Sequence, residues 1–243
     1  MDVIVKVIND LLEYEGLKIV QDSEFFKFSL DSVLLANFIK INKKDNNLLD
    51  IGTGNAPIPL ILAKKTELLI HGVEIQKESF ILAKESVKIN SLEDRIKLFN
   101  QDIKAYSNNL ESDVYDLITC NPPYFRSNDN KRINKNITKA TARHELSLGI
   151  DDIFRVARKL LKNNGKIAIV HRPERLVEII TSMKENNIEP KRILFVYPYK
   201  GKEANILLIE GTKNGKPGIK ILDSLYVHNK NDGYTDEVKK IFK

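Results

Sequence analysis

The sequence predicts an α/β domain: an open, mostly parallel sheet with helices on both faces. Three observations lead there. With 243 residues, 42% of them hydrophobic, the chain can bury one ample core, so a single domain over 1–243 is expected. Short apolar runs (Leu48–Ile51, Leu68–Val73, Ile96–Phe99 and Tyr115–Cys120) alternate with longer stretches of helical character. Each run ends in polar or turn-forming residues, namely Gly52-Thr53-Gly54, Glu74, Asn100-Gln101-Asp102 and Asn121-Pro122-Pro123. In a βαβαβ series such strand ends line up along one crevice at the carboxyl edge of the sheet.

The elements follow in order. Residues 3–14 carry apolar positions at helical spacing and predict a helix. Leu17 to Phe28 predicts a hairpin turning at Asp22-Ser23, and Asp31 to Ile41 a helix capped near Ser29 or Asp31. Residues 1–46 thus form an N-terminal extension expected to pack over the ligand end of a core spanning 47–243. Ile58 to Ala63 is helical, with Pro57 suited to its first turn. Past residue 143, Ile150 to Leu161 predicts a helix ending at Asn163-Asn164-Gly165, Lys166 to Val170 a strand, and Glu174 to Asn186 a helix. Arg192 to Tyr197, Ala204 to Glu210 and Ile219 to Leu222 supply late strands, with turns at Lys200-Gly201 and Asn214-Gly215.

Chemistry concentrates at the strand ends. Gly52 and Gly54 allow the backbone to pass close to a ligand. About 20 residues later Glu74 can accept both hydroxyls of a ribose. The third glycine of the dinucleotide pattern is replaced by Pro57, which argues against a nicotinamide cofactor. Asp102 is placed to accept from the amino group of an adenine, although Glu74 or Asp102 taken singly reads more simply as a helix cap or a solvated strand end. Asn121-Pro122-Pro123-Tyr124, with Phe125 behind, offers an amide, backbone carbonyls and two aromatic rings at one spot. A primary amine on a flat base has two N–H donors. The Asn121 carbonyl can take one and the Pro122 carbonyl the other, while Tyr124 or Phe125 stacks on the ring for roughly 1–3 kcal/mol. Alone, Asn-Pro-Pro is also a common turn at the end of a strand.

The net charge of +6 is unevenly spread. Arg126, Lys131, Arg132, Lys135, Lys139 and Arg143 face only Asp129 within 18 residues, a segment without periodicity that reads as a long basic loop beside the amine pocket. Such a loop suits phosphate contacts to a polyanion, although charge runs also mark plain solvated surface. The sole cysteine, Cys120, excludes an internal disulfide and a cysteine-built zinc site, and no metal is expected. Its apolar neighbours make it a packed strand residue. No apolar run approaches the roughly 18 residues of a membrane span and no cleavable leader is evident, so a soluble, cytoplasmic protein is expected.

Asp50-Ile51-Gly52-Thr53-Gly54 together with Asn121-Pro122-Pro123-Tyr124 resembles the class I S-adenosylmethionine-dependent methyltransferases. With Phe26-Lys27-Phe28-Ser29-Leu30-Asp31-Ser32-Val33-Leu34-Leu35-Ala36 and Ala142-Arg143-His144-Glu145, the chain from about Leu17 onward is similar to the bacterial tRNA(Val) adenine-N6 methyltransferases. The resemblance implies a Rossmann-like, seven-stranded mixed sheet and S-adenosylmethionine as cofactor, contacted at the Asp50 loop, Gly52, Gly54, Glu74, Asp102, Ile103 and Asn121. It also implies a target adenine held by Asn121, Pro122 and Tyr124, the adenine just 3′ of the anticodon of a tRNA. Pro123, Phe125 and the basic loop are the further expected substrate contacts. Methylation of a protein glutamine amide, as in the release-factor methyltransferases, remains an alternative, since that amide also carries two N–H donors; so does a non-catalytic RNA-binding module on the same scaffold.

Overall fold

The computed structural model describes residues 6–11, 16–22, 29–123 and 148–242. The N-terminal extension opens with strands β1 (Lys6–Asp10) and β2 (Lys18–Asp22), paired antiparallel with Lys6 opposite Asp22, and helix α1 (Leu30–Phe38). The helix expected over 3–14 is therefore a strand where it is described. β2 pairs with β1, and the second half of the hairpin expected over 17–28 lies outside the described residues. The spacing of Val3, Ile4, Val7, Ile8, Leu11 and Leu12 suits a helix, but the β-branched residues among them lose rotamer freedom in a helix and pack well on a pleated surface.

The core is doubly wound. Strands β3 (Asn47–Ile51), β4 (Leu69–Glu74), β5 (Ile96–Asn100), β6 (Tyr115–Cys120) and β7 (Leu161–His171) are parallel, in the order β5-β4-β3-β6-β7. Beyond β7 lie β9 (Ile206–Lys213) and β8 (Ile188–Tyr197), each antiparallel to its neighbour, so the sheet is mixed and has seven long strands, as expected. Two-residue strands β10 (Lys220–Ile221) and β11 (Leu225–Tyr226) extend it by pairing parallel to β8. Asn163-Asn164-Gly165 does not end a helix but forms a bulge inside β7. There the pairing to β6 jumps from Tyr115 opposite Leu161 to Leu117 opposite Lys166, and Asn164 takes φ 63°.

Alternate strand residues feed two cores. Leu48, Ile70, Leu117 and Val170 face α1, α2 (Pro57–Lys65) and α3 (Lys77–Ile89); Leu49, Val73, Ile118 and Ile169 face α4 (Ile103–Asn108), α5 (Ile150–Leu160) and α6 (Leu176–Glu185). Helix α5 shows the logic: Ile150, Ile153, Phe154, Ala157 and Leu160 fall on one buried stripe. Asp151 and Asp152 in its first turn and Arg158 and Lys159 in its last oppose the helix dipole. A 3-10 turn, Pro173–Arg175, leads into α6, and the C-terminal α7 (Asp236–Ile241) returns to the first core through Val238. No described helix is long and apolar enough to cross a membrane.

Candidate active site

The carboxyl ends of β3, β4, β5 and β6 form one corner of the molecule. After β3 the chain turns through Gly52 (φ 66°), Gly54 (φ 57°) and Ala56 (φ 70°) into α2, whose first residue is Pro57. Glycine is needed at 52 and 54 for these left-handed angles. A Cβ built at either position would meet no protein atom within 4 Å, so the loop borders open space rather than a packed wall. Ala56, fully buried, adopts the same region at a cost of about 1–2 kcal/mol.

Two buried carboxylates and one exposed amide brace this loop. Asp50, 1% exposed, accepts from the Thr53 hydroxyl at 2.7 Å with one carboxylate oxygen and from the Thr119 hydroxyl at 2.7 Å with the other. Burial pushes its carboxyl up to about 7, against the lowering effect of both hydroxyls, and the neighbouring Glu74 adds to the rise. The sequence places Asp50 among the cofactor contacts. Its carboxylate faces inward instead, where it ties the glycine loop to β6 two residues before Asn121. Glu74, also buried, accepts from the Gly54 N–H and the Gln76 N–H, both at 2.8 Å, which holds the loop against the end of β4. Asn100 at the end of β5 donates to the carbonyls of Glu74 (2.8 Å) and Ile75 (3.1 Å) and so sets the backbone after Glu74.

Asp102 caps α4, accepting from the N–H groups of Lys104 at 2.7 Å and Ala105 at 3.3 Å through the same oxygen. The cap reading and the adenine reading are thus compatible, since the second oxygen is not engaged by that cap. Ile103 is buried beneath it, whereas Ile75, directly after Glu74, is 38% exposed and offers an apolar face beside these acids. Sequence reasoning misses Ile75, although an isoleucine following the acid at a strand end is the available signal. The residues fit an adenosyl cofactor: an acid and backbone groups for its sugar, an apolar face for its purine, and a glycine loop leaving room beside it.

At the end of β6, Asn121 is half-buried, Pro122 buried and Pro123 exposed. Asn121 donates through Nδ2 to the hydroxyl of Ser32 on α1 at 3.1 Å. That bond distinguishes the two ends of the amide and directs the nitrogen toward α1. Ser32 is 5% exposed and stands 89 residues away in sequence, so nothing local in the chain announces it. Cys120 is packed in the core, and burial, with Asp50 nearby, pushes its thiol well above the usual range, in keeping with a strand residue. His71 points instead at the Tyr106 and Tyr115 hydroxyls, 2.9 and 2.7 Å away, and takes no part in this corner. Tyr124, Phe125, Arg126, Lys131, Arg132, Lys135, Lys139 and Arg143, with His144 and Glu145, lie outside the described residues.

The extension reaches this corner from the side: β2 lies along α3, with Val20 N–H on the Ser86 hydroxyl (2.9 Å), and the Asn55 side chain of the glycine loop donates to the Val20 carbonyl at 3.0 Å.

A doubly wound sheet whose first crossover carries a glycine loop, with an acid closing the next strand and Asn-Pro-Pro-Tyr after the fourth, defines a Rossmann-like methyltransferase. The comparisons agree: residues 25–186 match the methyltransferase small domain family. The fold is shared with a protein described as a predicted O-methyltransferase from Agrobacterium tumefaciens (TM-score 0.70, 17% identity, 88% of this chain and 95% of that one). Two relatives named tRNA1(Val) (adenine(37)-N6)-methyltransferase are closer in sequence. That of Trichodesmium erythraeum is 31% identical over 233 residues, 95% of each chain, and that of Parabacteroides distasonis 30% identical over 206 residues, 83% of each. The chain belongs to this tRNA adenine-N6 methyltransferase family.

Proposed function

We propose that this protein methylates the N6 amine of an adenine in tRNA, adenine 37 of a valine tRNA, using S-adenosylmethionine, in the cytoplasm. The observation carrying the reading is the Asn121–Ser32 contact at the same sheet edge as the Gly52–Gly54 loop and Glu74: an amide already oriented, next to a loop shaped for a cofactor. The relatives add the substrate class.

The cofactor supplies an electrophilic methyl group on a sulfonium. Glu74 receives the hydroxyls of its ribose, Asp102 its purine amine, and Ile75 packs on the purine. On the substrate side, Asn121 Nδ2 stays with Ser32, and its carbonyl oxygen accepts one N6 hydrogen. The Pro122 carbonyl accepts the other. Holding both hydrogens draws the nitrogen toward tetrahedral geometry and keeps its lone pair aimed at the cofactor side, an orientation effect that depends on rigid placement. Tyr124 stacks on the base. The surplus proton becomes acidic once N6 is alkylated and leaves to water, so no strong general base is required. A base in an anticodon loop reaches the site by being splayed out of its stack, and the basic residues between Arg126 and Arg143 hold the flanking phosphates.

The test is to incubate the protein with labelled S-adenosylmethionine and total tRNA, then map modified nucleosides by mass spectrometry. Label in N6-methyladenosine at position 37 of valine tRNA is the expected result; label confined to protein would favour the glutamine-amide reaction and overturn this one.

A further inference from the structure

The carboxyl edge continues past the amine pocket. Strand β8 runs parallel to β6 and β7, so its end at Tyr197 opens on the same edge as Asn121, three strand steps away, or about 14 Å. β11 pairs there, Tyr226 opposite Tyr197, and carries the segment 227–235 over the end of β8. The result is a row of rings. Tyr199 lies 5.2 Å from His228 at 31°, and His228 stacks on Tyr234 at 5.4 Å and 14°. Tyr197 and Tyr226 pair behind them at 5.4 Å.

Hydrogen bonding accounts for only part of this row. Among the described residues His228 Nδ1 is buried without a hydrogen-bond partner, and the imidazole is flanked by the two tyrosine rings. At the outer rings, Tyr234 is 37% exposed and the Tyr199 hydroxyl donates to Asp232 at 2.7 Å, which fixes the Tyr199 ring. Exposed Lys200, Lys202 and Lys230 lie within three residues of Tyr199 or His228 in the chain and make no ion pair among the described residues. Stacked and tilted rings that reach solvent, flanked by cations, are the elements with which proteins hold single-stranded nucleic acid: bases stack on the rings and phosphates meet the cations.

We infer that the Tyr199–His228–Tyr234 row is a second RNA-contacting surface, which stacks a nucleotide flanking the adenine delivered to Asn121. This rests on the tRNA reading above and deepens it. A flipped base leaves its neighbours unstacked, and a ring platform on the same edge recovers that stacking. Contacts to nucleotides beside the target are also a route by which base-modifying enzymes choose sequence context.

The experiment uses the full chain with an anticodon stem-loop RNA, measuring binding by fluorescence anisotropy at two salt concentrations and turnover with S-adenosylmethionine. Tyr199→Ala and Tyr234→Ala should weaken RNA binding about tenfold, within the range for loss of one stacked base. Cofactor affinity and turnover at saturating RNA should be retained. Tyr199→Phe should bind nearly as the wild type. The fold-change should persist at high salt, because stacking releases few counterions, unlike the loss from a Lys200→Ala and Lys202→Ala double variant. Thermal melts of every variant, and Tyr199→Leu as a ring-free replacement that keeps apolar bulk, separate misfolding from lost stacking. RNA binding unchanged in folded Tyr199→Leu and Tyr199→Ala overturns the inference while leaving the tRNA reading intact. Failure of the wild type to bind or methylate RNA overturns the tRNA reading itself.

Discussion

The two ends of the active edge are built differently. At the cofactor end, Asp50, Glu74 and Asn100 are engaged by the backbone and hydroxyls of β3, β4 and β6, all within the Rossmann-like core, so the loop is braced by the elements that carry it. At the amine end, the Asn121 amide is oriented by Ser32 from α1, which lies outside that core. The difference teaches where selectivity can be adjusted. A cofactor site is shared by many reactions and is held by the fold; an amine clamp is specific to one, and here it depends on a helix supplied by the N-terminal extension.

The largest effect should come from removing the clamp. Asn121→Ala takes away an acceptor needed as the N6 hydrogens become acidic, and loss of one such preorganised group costs about 10²–10³ in kcat. Cofactor affinity, measured by calorimetry, should stay within a few-fold of the wild type; Tyr124→Ala should behave likewise. Equal loss of cofactor binding in both would erase the division between the two ends. Glu74→Gln should do the reverse. A hydrogen bond to a charged group is worth about 1.5–3 kcal/mol, so the cofactor dissociation constant should rise roughly 10- to 150-fold while turnover at saturating cofactor changes little.

Ser32 sharpens the comparison further. Ser32→Ala removes an acceptor for Asn121 Nδ2 without touching the cofactor corner, and a net hydrogen bond of about 1 kcal/mol predicts a fall in kcat of roughly fivefold. KM for cofactor should be unchanged, and Ser32→Thr, which keeps the hydroxyl, should recover part of the rate. A loss appearing in cofactor KM instead would show that α1 serves the other end.

How much of this is legible in the sequence follows the same division. The order Gly52-Thr53-Gly54, Glu74, Asp102, Asn121 is readable because parallel strands end where apolar runs stop, and topology then aligns them. Ser32 is not readable as Asn121's partner, nor Thr119 as Asp50's, because those pairs are 89 and 69 residues apart and only the assembled sheet brings them together. The Tyr199–His228–Tyr234 row is hidden for the same reason, as β11 must first find β8. The inward turn of the Asp50 carboxylate is hidden for a subtler cause. A carboxylate next to a glycine loop looks like a ligand contact, and burial, which sequence does not report, turns it inward. The first strand is misread because four β-branched residues, Val3, Ile4, Val7 and Ile8, happen to fall at helical spacing as well.

The smallest effect on catalysis is expected at Asp50, yet it leaves a clear signature in stability. An acid whose carboxyl is raised from 3.8 to about 7 in the folded chain keeps a proton that the unfolded chain has released between those values. Its contribution to stability is therefore lost as pH rises from about 4 to 7 and is flat above. His171, buried at the end of β7, behaves oppositely. Desolvation lowers it from 6.5 to about 4, with Arg175 and Arg172 adding to the fall against Glu178 and Glu174, so the unfolded chain binds a proton that the native state refuses, and stability is lost as pH falls from 6.5 to 4. Across pH 4–6.5 the two slopes oppose, and chemical denaturation of the wild type should show a shallow profile. Asp50→Asn keeps the shape without the titration, with one threonine hydroxyl turning to accept from the new amide. Relative to the wild type its stability should climb by about 1–4 kcal/mol between pH 4 and 7 and then level, since each tenfold difference in proton affinity between the folded and unfolded chain is worth about 1.4 kcal/mol. His171→Asn should remove part of the opposing slope and steepen the net fall with rising pH; His71, which burial and then Lys97 also hold below the usual imidazole range, keeps the rest. Parallel profiles for the wild type and Asp50→Asn would mean that the carboxylate is charged throughout, and that its bonds to Thr53 and Thr119 outweigh its burial.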